Sequence, residues 1–175
     1  MRSATLIFLG LLVSIGCFAK VSVLESSESR MLVQYSLEDF EIALDGDFSS
    51  IVISGFGFDE SIGSPLLPYN EYKLALPPSG SVSYTLLSSR SEKIALQKRL
   101  LPVPLMTERN GISQAGYQID EALYRQQSSP PLEMLPMSVF RGYSYVPIRI
   151  NPFAYDGQTT LTVMQSAIIQ IDISG

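Results

Sequence analysis

Histidine occurs nowhere in the 175 residues, tryptophan is absent as well, and cysteine occurs once, at Cys17. Without imidazole the chain cannot build a Ser-His or Cys-His pair. With a single thiol it has neither a Cys/His zinc set nor an internal disulfide. Positive charge is also short: 12 Lys and Arg stand against 17 Asp and Glu, for a net charge of −5. Nucleic acid and anionic membranes both ask for a basic footprint, so neither is expected as a partner. The familiar chemistry that survives these absences is carboxylate-based, with Asp39, Glu41, Asp45, Asp47, Asp59 and Glu60 available for it. These acids are scattered among turns rather than set in pairs, which is the pattern of a solvated surface. No enzyme activity of the nucleophilic or zinc type, no metal and no cofactor is expected.

Long hydrophobic runs are missing too, except at the start. Arg2 precedes residues 4–15 (ATLIFLGLLVSI), a stretch of signal-peptide length; spanning a bilayer takes roughly 20 apolar residues. Cys17 and Ala19 place small residues at −3 and −1 of a cut before Lys20. Ser14-Ile15-Gly16-Cys17 offers a competing lipidation route at Cys17, disfavoured because Ser14 stands where an aliphatic residue is wanted. Either route exports the chain, to periplasm, cell surface or medium. Losing residues 1–19 leaves 156 of the 175 as one domain, 20–175, large enough for a sizeable core. It also removes one positive charge, so the mature charge is −6. No second run of spanning length follows.

What is present has the period of strands. Residues 31–35, 40–44 and 51–55 are short apolar runs rich in β-branched and aromatic residues, broken by turn formers such as Asp45-Gly46-Asp47. From 81 to 87, Val82, Tyr84 and Leu86 alternate with hydroxyl residues, as in a half-buried sheet. Residues 146–150, 160–163 and 169–173 alternate likewise, with Asp156-Gly157 as the turn of an antiparallel terminal unit. Most of the 11 prolines fall between the runs, where a missing N–H costs nothing. The expected fold is all-β, an antiparallel β-sandwich with long Pro-rich loops and little helix. Only residues 119–127 can form a turn or two of helix. Residues 100–136 hold five prolines and few alternating runs, so they are expected as long loops over one side of the sandwich. The expected core is Leu44, Ile51, Ile53, Leu74, Leu76, Val82, Tyr84, Leu86, Ile148, Ile150, Leu161, Val163, Ile169 and Ile171.

Two segments carry a resemblance. The first is Gly63-Ser64-Pro65-Leu66-Leu67-Pro68, ahead of an expected strand from Tyr69 to the Pro77-Pro78 pair. The second is Phe140-Arg141-Gly142-Tyr143, followed by Val146-Pro147-Ile148-Arg149-Ile150-Asn151-Pro152-Phe153-Ala154-Tyr155. In this order, behind a signal peptide, they resemble the propeptide of gingipain-type cysteine peptidases over about residues 45–173. Physically these residues are scaffold. Gly63 can take a positive φ, and Pro65 and Pro68 stiffen the approach to the next strand, with Leu67 between them. Gly142 after Arg141 allows a bulge or tight start to the strand that Asn151-Pro152 ends.

The resemblance implies a function that composition does not. In gingipain-like enzymes this domain assists folding of the catalytic domain and keeps it inactive by laying a loop across its cleft. Such a loop would offer a basic side chain to an acidic specificity pocket. The candidates are Arg109 in the loop 102–116, Lys98 and Arg99 at its base, and Arg125 beyond it. The implied partner is a gingipain-like cysteine peptidase domain, in cis or in trans. The chain ends at Gly175 with no catalytic residues, so any peptidase activity would lie in a further segment or another chain. The alternative function is an exported β-sandwich that binds protein or glycan.

Overall fold

A computed structural model describes residues 20–59, 61–76, 80–109, 111–126 and 128–174. The expected signal peptide, Cys17, Glu60 and the Pro77-Pro78 pair lie outside these residues. Among them the strands are β1 (Lys20–Ser26), β2 (Arg30–Ser36), β3 (Glu41–Asp45), β4 (Phe48–Val52), β5 (Gly57–Phe58), β6 (Pro68–Leu76) and β7 (Ser81–Ala95). There follow β8 (Leu105–Arg109), β9 (Ile112–Gly116), the short helix α1 (Glu121–Tyr124), β10 (Leu132–Met134), β11 (Ser138–Phe140), β12 (Tyr143–Ile150), β13 (Phe153–Tyr155) and β14 (Thr160–Ser174).

Every strand pairing is antiparallel. In the first sheet β14 is the spine. Its whole length pairs with β7 on one side, and β13 and β2 share the other, with β1 beyond β2. The second sheet runs β10-β12-β6-β5, with β11 also on β12. The pairs β3–β4 and β8–β9 stand as separate hairpins.

The core forms where the two sheets face each other. Val33, Tyr35, Leu161, Val163, Ile169 and Ile171 come from the first sheet and Ile148 and Ile150 from the second, in one buried cluster. Full burial of each such side chain contributes about 1.5–3 kcal/mol, which supplies the stability that a chain without disulfides needs. Phe153 packs edge-on against Phe40 with centroids 5.3 Å apart. The all-β antiparallel expectation holds, and the helix within 119–127 is a single turn capped by Asp120, whose carboxylate accepts from the N–H groups of Ala122 and Leu123.

Four details differ from the sequence reading. Leu44 is 56% exposed, because β3 pairs only with β4 and turns that side chain away from the sheets. Tyr84 is 37% exposed, and its hydroxyl donates to the Leu132 carbonyl at 2.7 Å, tying β7 of one sheet to β10 of the other. Ile53, Leu74, Leu76, Val82 and Leu86 are partly buried rather than fully so. Residues 100–136, expected as long loops, contain the hairpin β8–β9, α1 and β10. The hairpin escaped notice because both its strands are exposed, so no face of it alternates.

The two quoted motifs meet on one ladder. β6 pairs with β12 from Asn70↔Ile150 to Leu76↔Ser144. The Gly63–Pro68 segment thus feeds one end of this ladder and Arg141-Gly142 the other, about 20 Å apart at some 3.3 Å per residue.

Candidate functional site

The hairpin β8–β9 is exposed along its described residues, and these show how a short exposed ladder is held. Arg109 pairs with Ile112 across the turn, and Gly111 takes a φ of 73°. Leu105, Met106 and Ile112 are 48%, 58% and 63% exposed, so the hairpin gains little from burial of its own. Its strength lies at the base. Leu100, Leu101, Pro102 and Val103 are all buried. Ser49, itself buried, receives the Leu101 N–H at its carbonyl (2.8 Å) and donates its own N–H to the Arg99 carbonyl (2.9 Å).

On the other side the Gly63–Pro68 segment pairs with the same stretch. Gly63 N–H donates to Val103 O (2.9 Å), Val103 N–H to Ser64 O (2.8 Å) and Leu66 N–H to Leu101 O (2.9 Å). Pro65 bridges to Pro102, and Pro68 opens β6 fully buried. Gly63 has a φ of 83°, and a Cβ there would lie 3.0 Å from the Asp120 Cβ. The motif needs glycine both for the conformation and for the space.

Two tyrosines close the base from below. Tyr124 Oη donates to the Leu100 carbonyl at 2.6 Å, and the Leu100 N–H donates to Tyr155 Oη at 3.1 Å. Tyr155 Oη in turn donates a hydrogen bond to the Gln158 carbonyl. Burial pushes both phenols above their usual range, so they stay neutral donors. Their rings stand edge-on, 5.8 Å apart. Arg99 lies over the Tyr124 ring at 4.7 Å, forks onto Glu121 (2.7 and 3.2 Å) and donates to the Gly157 carbonyl at 3.2 Å. The bond from Arg99 holds the Glu121 carboxyl below its usual value. Gly157, at φ 80°, has no room for a Cβ, which would meet the Tyr124 carbonyl.

The four candidate cations are therefore in different situations. Arg99 is engaged in the brace. Lys98 donates to the Gly46 carbonyl at 2.6 Å and lies 3.7 Å from the exposed Asp47 carboxylate. Arg125 is exposed just after α1. Arg109 occupies the last position of β8, at the turn. The second motif forms another hairpin turn: Phe140 pairs with Tyr143, with Arg141 (φ 51°) and Gly142 (φ 84°) between them. Two positive φ values are the signature of a tight hairpin turn whose twist suits its strands. Asn151 ends β12 by donating its side-chain amide to the Pro130 carbonyl at 2.8 Å, and Pro152 is fully buried.

Sequence reasoning assigned no site role to Ser49, Glu121, Tyr124 or Tyr155. Tyr155 had a signal, since it closes the quoted Asn-Pro-Phe-Ala-Tyr run. The hairpin had one too, because Asn110-Gly111 is the strongest short turn dipeptide. Nothing local marks the others. Among the described residues no group of His, Cys, Asp or Glu is placed to hold a metal, and no helix is long and apolar enough to cross a membrane.

The described strands form a two-sheet antiparallel sandwich with an exposed β8–β9 hairpin on a buried base. It is the gingipain propeptide fold. One solved structure that the chain resembles was determined for the zymogenic latency of gingipain K from Porphyromonas gingivalis: TM-score 0.73 and 16% identity, over 91% of this chain and 95% of that one. Another is the complex of the pro- and mature domains of RgpB from Porphyromonas gingivalis: TM-score 0.75 and 14% identity, over 89% of this chain and 85% of that one. No family model and no curated protein matches the sequence.

Proposed function

We propose that this chain is an exported prodomain that assists the folding of a gingipain-like cysteine peptidase, in cis or in trans, and holds it inactive. The domain itself is non-catalytic. The observation that carries this reading is the exposed hairpin β8–β9, anchored by a buried base, in a chain of the gingipain propeptide fold. A segment held in place before it meets its target loses little entropy on docking. Leu105, Met106 and Ile112 offer apolar surface along it. Arg109, next to the turn, is the cation best placed to enter an acidic pocket, where a guanidinium can make paired hydrogen bonds to carboxylates. Arg99 and Lys98 already have partners inside the fold, and Arg125 stands second to Arg109.

The test is inhibition of the co-encoded or neighbouring gingipain-like peptidase by the purified chain. Arg109→Ala should weaken inhibition by about 2 kcal/mol or more, as loss of a central anchor does. Arg125→Ala should matter less. Equal inhibition constants for the parent and Arg109→Ala would remove Arg109 from the mechanism. No inhibition of any such peptidase would end the prodomain reading.

A further inference from the structure

Sheet edges in this molecule are mostly short or broken. β5 has two residues, β10, β11 and β13 have three, and β1 has seven with a register shift between Val23 and Glu25. Such edges resist pairing with another chain. β7 differs. It runs for 15 residues, pairs only with β14, and no described strand lies on its other side. Apart from Val82, Leu86 and Ile94, its side chains are exposed.

The edge has two parts. The register steps from Leu86↔Ile169 to Ser88↔Ile168, which leaves Leu87 as a bulge. Beyond it, residues 88–94 run without a further bulge in β7: Ser-Ser-Arg-Ser-Glu-Lys-Ile. Ser88, Ser89 and Ser91 are small enough to let another backbone approach. The charges then decide which backbone. Arg90 and Glu92 are two residues apart, so they share one face of the strand. When two copies of this edge pair antiparallel about Ser91, Arg90 of each lies directly across from Glu92 of the other, twice over by symmetry. Arg90 makes no ion pair among the described residues. Glu92 accepts one bond from Gln165 at its Oε1, and its second oxygen takes no hydrogen bond there. A strand without this arrangement would meet Lys93, Arg90 and Glu92 as unmatched charges.

From this edge we infer that the exported chain self-associates as a two-fold dimer through residues 88–94 of β7, centred on Ser91. The proposal uses no residue of the β8–β9 hairpin, so it stands or falls separately from the inhibitory function. An edge contact of this size is small, and the dimer is a reversible one.

Sedimentation of the purified exported chain from about 1 µM to about 1 mM spans the range in which such contacts populate. It should show a monomer–dimer equilibrium, and amides of residues 88–94 should exchange more slowly at the dimer-rich end. Arg90→Glu and Glu92→Arg should each weaken the dimer about tenfold or more, because each converts both facing pairs to like charges. The double swap Arg90→Glu/Glu92→Arg should restore it to within about threefold of the parent. If Glu92→Arg unfolds on losing Gln165, the Arg90→Glu measurement and the exchange data decide. A chain that stays monomeric throughout, single swaps without effect, or a double swap no tighter than the singles would overturn the proposal.

Discussion

The two ends of the β6–β12 ladder are built from similar ingredients and do opposite things. At one end Gly63 has a φ of 83° with Asp120 pressed against the place of its missing Cβ; at the other, Gly142 has a φ of 84° and open space around it. The first end is interior: Pro68, Pro102, Pro152 and Ile150 are each at most 2% exposed. The second is surface: Val139, Phe140 and Tyr143 are 66%, 61% and 77% exposed, and the Arg141 guanidinium lies 5.2 Å from the Phe140 ring. A positive φ alone makes a turn. A positive φ with close packing behind it makes an anchor, and the hairpin that this anchor supports is the one proposed to act on a partner.

The sharpest way to break this contrast is to truncate each end of β12. Ile150→Ala should cost about 2–5 kcal/mol, as loss of a fully buried aliphatic side chain does. Tyr143→Ala should stay within about 0.5 kcal/mol, as exposed sites do. Equal shifts in melting temperature would mean that the turn end is packed as well. Tyr124→Phe tests the brace itself. Removing that hydroxyl leaves the buried Leu100 carbonyl without its donor, an expected loss of about 1–3 kcal/mol. Hydrogen exchange should then quicken at residues 100–105 before it does in β14.

The glycines come next in size. Gly63→Ala should destabilise by about 1–3 kcal/mol from strain and crowding together. Gly142→Ala carries the conformational part alone, about 1 kcal/mol. Urea midpoints of the two variants decide, and reversal of their order would sink the anchor argument.

The smallest effect is electrostatic. Burial alone would raise the Asp156 carboxyl, but N–H groups of the turn, from Thr160 at 3.0 Å and Gln158 at 2.8 Å, outweigh it and hold the group below its usual value. A carboxyl depressed in the fold contributes stability that is complete above its unfolded pKa, and that is lost as pH falls through the folded one. Thermal melts should therefore drop as pH is lowered from about 5 toward about 2. Asp156→Asn should flatten that slope without abolishing it, because Glu121 and Asp172 are depressed as well.

Much of the sandwich was legible because alternation and turn chemistry are local. Ile148, Ile150, Leu161, Val163, Ile169 and Ile171 alternate in the sequence and are buried in the fold. The second half of β7 was not legible. Ser88 to Ala95 is polar on both faces, and only its pairing with β14 makes it a strand. Leu44 looked like core because alternation shows that a strand has two faces, not which of them another sheet will cover. Arg99 at the base of the Pro-rich loop and Arg109 within it both looked like free cations. Yet one lies within hydrogen-bonding reach of Glu121, 22 residues on, and of Gly157, 58 residues on.

What the amino-acid sequence determined by itself is what a few neighbouring residues decide through sterics: the strand period, the turns at Gly63, Gly111, Gly142 and Gly157, and a helix of one turn after Asp120. The tertiary structure decided which exposed segment is anchored and which cations are already engaged. Those depend on hydrogen-bond partners tens of residues away, and such partners become neighbours only once the sheets have set their register.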